Sequence, residues 1–176
     1  MAVNKHETLR EYIAEISLQT GYPIPIENFY PDKIPLKFIA KTIDHSLLNP
    51  TLPDDDLKVG CELAKERDVA SVCIYPTGIE IAKNVLDGSD VAVGTIVGFP
   101  YPYEPTDIKV KATDLYCKMG ATEIDMVAHT GKVRSGEWDY VSDDIKAVMD
   151  VAKKYGAILK VIFENDYLND QEKVKL

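Results

Sequence analysis

From residue 36 onward the chain repeats one unit: a short apolar run, a loop, then an amphipathic stretch. The apolar runs at 38–43, 69–74, 91–97, 122–127 and 158–163 have strand length, and most are nearly continuous. Runs of that kind are buried on both faces, as in a parallel sheet covered by helices. The stretches at 54–67, 77–86, 106–119 and 138–155 read as helices, with Leu57, Cys61 and Leu63 or Ala64 forming one face of the first. Asp54 or Asp55 is placed to cap that helix. Gly88, Gly120 and Gly156 stand where helices end, because glycine takes the positive φ a terminus needs. Residues 170–176 begin a fifth helix. The fold class is therefore α/β. Five such units suit a doubly wound sheet or a sector of an eightfold barrel. The length of 176 residues favours the doubly wound sheet, since a full barrel needs about 250.

Ahead of this rhythm, residues 4–19 place Leu9, Ile13 and Ile16 on one helical face. Pro23, Pro25, Pro31 and Pro35 then remove the donors a ladder needs, so 21–35 reads as an extended arm. The expected division is a helix and arm over 1–35 and an α/β domain over 36–176. No apolar run reaches membrane-spanning length, and the polar N-terminus has no signal-peptide core. Cys61, Cys73 and Cys117 are sparse and odd in number, which suits reduced thiols in the cytoplasm. A net charge of -9 argues against nucleic acid as partner. No Gly-rich dinucleotide fingerprint, phosphate loop or HExxH spacing is present, so neither a cofactor nor a metal is expected.

Ligands of parallel α/β folds sit at the carboxyl ends of strands. Alternation on the fourth run turns Glu123, Asp125 and Val127 inward if Ile124 and Met126 face the helices. On the fifth run Lys160 and Ile162 share a face. A lysine inside an apolar strand needs a carboxylate partner. Asp44, Asp125 and Lys160 thus form a candidate interior cluster, and three such groups together point to a site. His45 adjoins Asp44 as a local packing or capping residue, and His129 follows the fourth run toward the same mouth. His6 belongs to the terminal helix. Cys73, between Val72 and Ile74, reads as a core thiol and not a nucleophile. Trp138 reads as a packing residue.

At these positions the chain resembles the deoxyribose-phosphate aldolases. The resemblance rests on Thr42-Ile43-Asp44-His45-Ser46-Leu47-Leu48, Ser71-Val72-Cys73-Ile74-Tyr75-Pro76 and Thr95-Ile96-Val97-Gly98-Phe99-Pro100. Gly120-Ala121-Thr122-Glu123-Ile124-Asp125-Met126-Val127 and Leu159-Lys160-Val161-Ile162-Phe163-Glu164 continue it, in order and with fitting spacing. It implies a (β/α)8 TIM barrel of which this chain holds about five βα units. It also implies reversible cleavage of 2-deoxy-D-ribose 5-phosphate to glyceraldehyde 3-phosphate and acetaldehyde, without a cofactor, through a lysine Schiff base. Asp125 matches the aspartate that works with a water in proton transfer, Lys160 the lysine of the polar cluster, and Asp44 the aspartate that holds it. Cys73, Thr95 and His129 are the candidate substrate contacts. The family's Schiff-base lysine lies on a sixth strand and its modulating lysine on a seventh, so both are expected beyond this chain's end. The chain departs from the family at Thr77, Ala112, His129 and Asn165 and in the bulky loop Tyr101-Pro102-Tyr103-Glu104-Pro105. A catalytically inactive sugar-phosphate binder or assembly subunit, or an aldolase for another phosphorylated substrate, is the alternative.

Five strands cannot close an eight-stranded barrel, and an open one exposes two edges and its interior. The expectation is a longer native chain, or a homo-oligomer that covers those edges.

Overall fold

The apolar runs pair side by side in the order in which they occur. The computed structural model describes Leu18 and residues 36–176, with Ile39–Leu176 forming a compact unit separate from Met1–Phe38. The expected helix at 4–19 and the arm at 21–35 lie outside the described residues. After a short helix α1 (Leu36–Ala40), strands and helices alternate. They are β1 (Asp44–Leu47), α2 (Asp54–Arg67), β2 (Ser71–Ile74), α3 (Ile79–Val85), β3 (Ala92–Val97) and α4 (Thr106–Met119). β4 (Glu123–Val127), α5 (Thr130–Arg134), α6 (Trp138–Lys154), β5 (Ile158–Ile162) and α7 (Asp170–Lys175) follow. All five strands are parallel and their order is β1-β2-β3-β4-β5. A doubly wound sheet reverses its strand order at a switch point, and this one does not. The uninterrupted order is that of a barrel sector, so the doubly wound sheet favoured by length is set aside.

The sheet is also curled. Its edges, β1 and β5, are four strand spacings apart, which is about 19 Å across a flat sheet. Yet Lys160 Nζ on β5 lies 2.7 Å from Asp44 Oδ2 on β1. Only a sheet bent into an arc brings these side chains together.

Register fixes the faces. Val72 and Val93 are register partners, and Ile74, Thr95 and Ile124 form the next row of the same outer face. They pack with Leu57, Cys61, Ile79, Ala82 and Val148 of the helices into one core. Asp44, Ser71, Cys73, Gly94, Ile96, Glu123, Asp125 and Lys160 have the opposite parity and line the inner face. Gly94 is required there, because a Cβ would come within 2.7 Å of the Val72 carbonyl oxygen. A second cluster of Val133, Val141 and Leu168, with Trp138 and Phe163 against it, sits under α5 and α6. Trp138 is thus a packing residue, with the Lys175 ammonium 4.3 Å above its ring.

Three local expectations are corrected. The first strand is not at 38–43: residues 36–40 are helical, and Thr42 N–H and Ile43 N–H donate back to the Ile39 and Ala40 carbonyls. The strand is the more polar Asp44–Leu47, because its inward residues face the polar interior and not the core. The first long helix is capped by neither Asp54 nor Asp55. Pro53 is its N-cap, and Asp54, Asp55 and Asp56 fill the first turn, where negative charge suits the helix dipole. The second expected helix begins as a 3-10 turn at Pro76–Gly78 and becomes α-helical at Ile79. Helix α5 was not expected at all.

One ion pair is fully enclosed. Lys109 Nζ of α4 lies 2.6 Å from Asp144 Oδ2 of α6, both side chains are 0% exposed, and Thr106 Oγ1 donates to Asp144 Oδ1 at 2.7 Å. Every charge there has a counter-charge, so the pair ties two helices together without leaving a bare ion.

Candidate active site

Lys160 is the centre of the inner face. Its strand register sets it directly beside Asp125. The ammonium donates a hydrogen bond to Asp44 Oδ2 at 2.7 Å. It also stands 2.9 Å from Glu123 Oε2 and 3.1 Å from Asp125 Oδ1. Those two oxygens are buried and receive no aligned hydrogen bond, though both lie within ion-pair distance of Lys160. Asp44 is held from its other side by the fully buried Ser71, whose Oγ–H donates to Asp44 Oδ1 at 2.5 Å. Four strands therefore contribute to one constellation: Asp44, Ser71, Glu123 with Asp125, and Lys160.

The electrostatics follow from that count. Burial pulls the Lys160 ammonium toward the neutral form, but Asp44, Glu123 and Asp125 outweigh it and raise its pKa well above the ordinary lysine value. Such an amine is cationic at any physiological pH and carries no free lone pair. It can stabilise negative charge and donate hydrogen bonds, but it cannot attack a carbonyl. Burial raises the Asp44 pKa, and the hydrogen bonds from Lys160 and Ser71 more than reverse this, leaving it lowered.

Cys73 is buried, but on the inner face and not in the core beneath the helices. Burial pushes its thiol up to about 12, and its hydrogen bond to Asp125 adds to the effect. It is a protonated thiol that donates toward Asp125, and not a nucleophile. Thr95 is not brought to the inner face. It is 0% exposed, points to the helix side, and donates to the Ile74 carbonyl at 2.9 Å. His129 is engaged elsewhere: it is the N-cap of α5, accepting from Lys132 N–H at 3.3 Å, with its ring edge-on to Tyr140. Strand parity places His45 on the outer side with Val72, away from the cluster.

At the carboxyl ends of β1, β2 and β3 lies an apolar cavity of about 680 Å³. Leu48, Pro50, Leu52, Tyr75, Thr77, Ile96, Phe99 and Pro100 line it. Gly98, at φ 62°, turns the chain from β3 into this wall, and the Phe99–Pro100 bond is cis. Tyr101 and Tyr103 stack at 5.4 Å just beyond, largely exposed. A cationic donor among buried carboxylates is suited to stabilising negative charge and to moving protons.

Residues 38–175 match the model of the DeoC/LacD family aldolases. The chain belongs to that aldolase family. Among its relatives, the deoxyribose-phosphate aldolase of Caldanaerobacter subterraneus is 45% identical over 138 residues, covering 78% of this chain and 60% of that protein. A solved structure from Coccidioides immitis, assigned as a deoxyribose-phosphate aldolase, superposes with a TM-score of 0.79 at 34% identity. That match covers 94% of this chain and 65% of the other. The deoxyribose phosphate aldolase of Aeropyrum pernix shares the fold, with a TM-score of 0.72 at 24% identity over 90% of this chain and 63% of that one. The chain spans about three fifths of the length of the curated relatives it matches. Its five-stranded arc is accordingly a partial aldolase barrel. Among the described residues no helix is long and apolar enough to cross a membrane.

Sequence reasoning brought Asp44, Asp125 and Lys160 together. It turned Glu123 inward without giving it a role, and it passed over Ser71. The signal for Glu123 was available, since it stands two positions before Asp125 and shares its parity; Ser71 shares the parity of Cys73, which the sequence read as a core thiol, and so carried none.

Proposed function

We propose that this chain carries the acid–base half of a deoxyribose-phosphate aldolase. The reaction is reversible cleavage of 2-deoxy-D-ribose 5-phosphate to glyceraldehyde 3-phosphate and acetaldehyde. The observation that carries the reading is the division of labour inside the cluster. Lys160 is locked as an ammonium by three carboxylates, while Asp125 beside it keeps an oxygen without a hydrogen bond. The nucleophilic amine is then a different lysine, on a barrel strand outside these five, as the family resemblance implies. That amine adds to the substrate carbonyl and loses water to form an iminium. The iminium accepts the electrons of the breaking carbon–carbon bond, releasing glyceraldehyde 3-phosphate and leaving an enamine. Protonation of the enamine carbon and hydrolysis then free acetaldehyde. Asp125 handles protons in these steps, through a water, and Lys160 fixes the field around it. The apolar cavity bounded by Phe99 and Leu48 takes the carbon chain of the substrate.

Reductive trapping tests this. A protein in which the barrel strands after β5 are present is treated with acetaldehyde and borohydride, and intact mass and a peptide map are recorded. The reading expects one reduced two-carbon adduct on a lysine other than Lys160. An adduct on Lys160 overturns the division of roles. Absence of any adduct favours a non-catalytic relative that binds a sugar phosphate, a reading consistent with the altered Thr77, Ala112 and His129.

A further inference from the structure

The cluster holds one ammonium and three carboxylates, and the ammonium does not favour them equally. It is nearest and aligned to Asp44, at 2.7 Å, next to Glu123 at 2.9 Å, and farthest from Asp125 at 3.1 Å. This order runs against simple expectation. Asp125 is the register partner of Lys160. Its side chain is 10% exposed against 47% for Asp44, so its attraction is the less screened of the two. An ammonium free to choose would close on Asp125. We propose that Glu123 is a positioning residue: together with Asp44 it holds the Lys160 ammonium off an aligned hydrogen bond to Asp125, so that the buried Asp125 oxygen, 3.1 Å away, is left without one.

The geometry supports Glu123 in that part. It lies two residues before Asp125 on β4, so its carboxylate enters the interior one step nearer the amino end of the sheet. Asp44, at the start of β1 and pinned by Ser71, pulls toward the same end. Among the described residues the groups facing Asp125 are few. β1 brings Asp44, β2 the Cys73 thiol, β4 Glu123 and β5 Lys160. β3 brings only Gly94 and Ile96. With Glu123 neutralised, no other described carboxylate balances Asp125 from below except Asp44. The function given to that Asp125 oxygen rests on the aldolase reading, whereas the placement of the ammonium does not.

The test is made on the 176-residue chain by lysine side-chain NMR. Hydrogen-bond scalar couplings from Lys160 Nζ to each carboxyl carbon report which acid holds the ammonium. The wild type is expected to couple to Asp44 and not to Asp125. Glu123→Gln keeps the shape and removes the charge, and a coupling to Asp125 is expected to appear. Glu123→Asp keeps the charge but withdraws the carboxylate by one methylene, and should give the same gain in weaker form. It also serves if Glu123→Gln does not fold. An Asp125 coupling already present in the wild type, or a pattern unchanged in the folded variants, overturns the proposal. A purely structural glutamate would change stability without moving the ammonium. Because no covalent adduct enters the measurement, its failure is distinct from failure of reductive trapping.

Discussion

Replacing Asp144 by alanine removes one half of an enclosed ion pair. The Lys109 side chain is 0% exposed and its ammonium meets Asp144 at 2.6 Å, so the variant leaves a buried cation without its ion-pair partner. Breaking a buried pair from one side costs about 3–5 kcal/mol. The Thr106 hydroxyl also loses its acceptor, worth about 1 kcal/mol. For a domain of this size each kcal/mol lowers Tm by roughly 2–4 °C, so a fall on the order of 10 °C is expected. Urea denaturation followed by the fluorescence of Trp138, the single tryptophan and part of α6, gives the free energy directly. Lys109→Met with Asp144→Leu removes both charges and fills the space, and is expected within about 1–2 kcal/mol of the wild type. The reasoning fails if Asp144→Ala costs less than about 1 kcal/mol, or if the double variant is as unstable as the single one.

Four further outcomes follow from the site. In the Lys160→Met variant, Glu123 and Asp125 face each other without a cation. Stability at neutral pH should fall, and thermal scans should show recovery toward acid pH as the carboxylates take up protons. In the wild type the raised Lys160 pKa gives the opposite limb: its contribution is complete below the ordinary lysine value and is lost as pH rises through the folded value, so the alkaline transition should come earlier in Asp44→Asn. Ser71→Ala frees Asp44, whose lowered pKa contributes stability above the ordinary aspartate value and loses it as pH falls through the folded one; carboxyl NMR should show the Asp44 midpoint rising in the variant. Cys73, pushed up to about 12 and buried, should resist iodoacetamide at pH near 8 under native conditions, and peptide mapping that finds it alkylated as fast as a denatured control would contradict its placement.

Five of the helices, α2, α3, α4, α6 and α7, and four of the five strands were legible because their apolar spacing is strong and glycine marks several ends. Helix α4, Thr106–Met119, was delimited by its spacing and by Gly120, which sits at φ 121°. The first strand was misplaced for a reason that bears on the site. Only Leu47 of β1 is strongly apolar, because Asp44 and Ser46 face a polar interior, so hydrophobic periodicity slid the strand back onto 38–43. The same feature hid the full cluster. Parity alone predicts which residues turn inward, but which of them touch depends on the curl of the sheet, and that is a property of all five strands together. Thr95 shows the converse: a polar residue beside a motif looks like a ligand contact, yet its hydroxyl satisfies the Ile74 carbonyl on the helix side.

The unbroken strand order has a consequence for how such a protein comes into being. Each strand lies against the one made just before it, so a chain emerging from its amino end always finds its template already present. The chemistry does not accumulate in the same gradual way. Asp44 and Lys160 are 116 residues apart, and until β5 arrives the three carboxylates have no described ammonium to meet. A nascent chain of four strands is thus architecture without a charged centre, and the fifth strand alone converts the arc into a site.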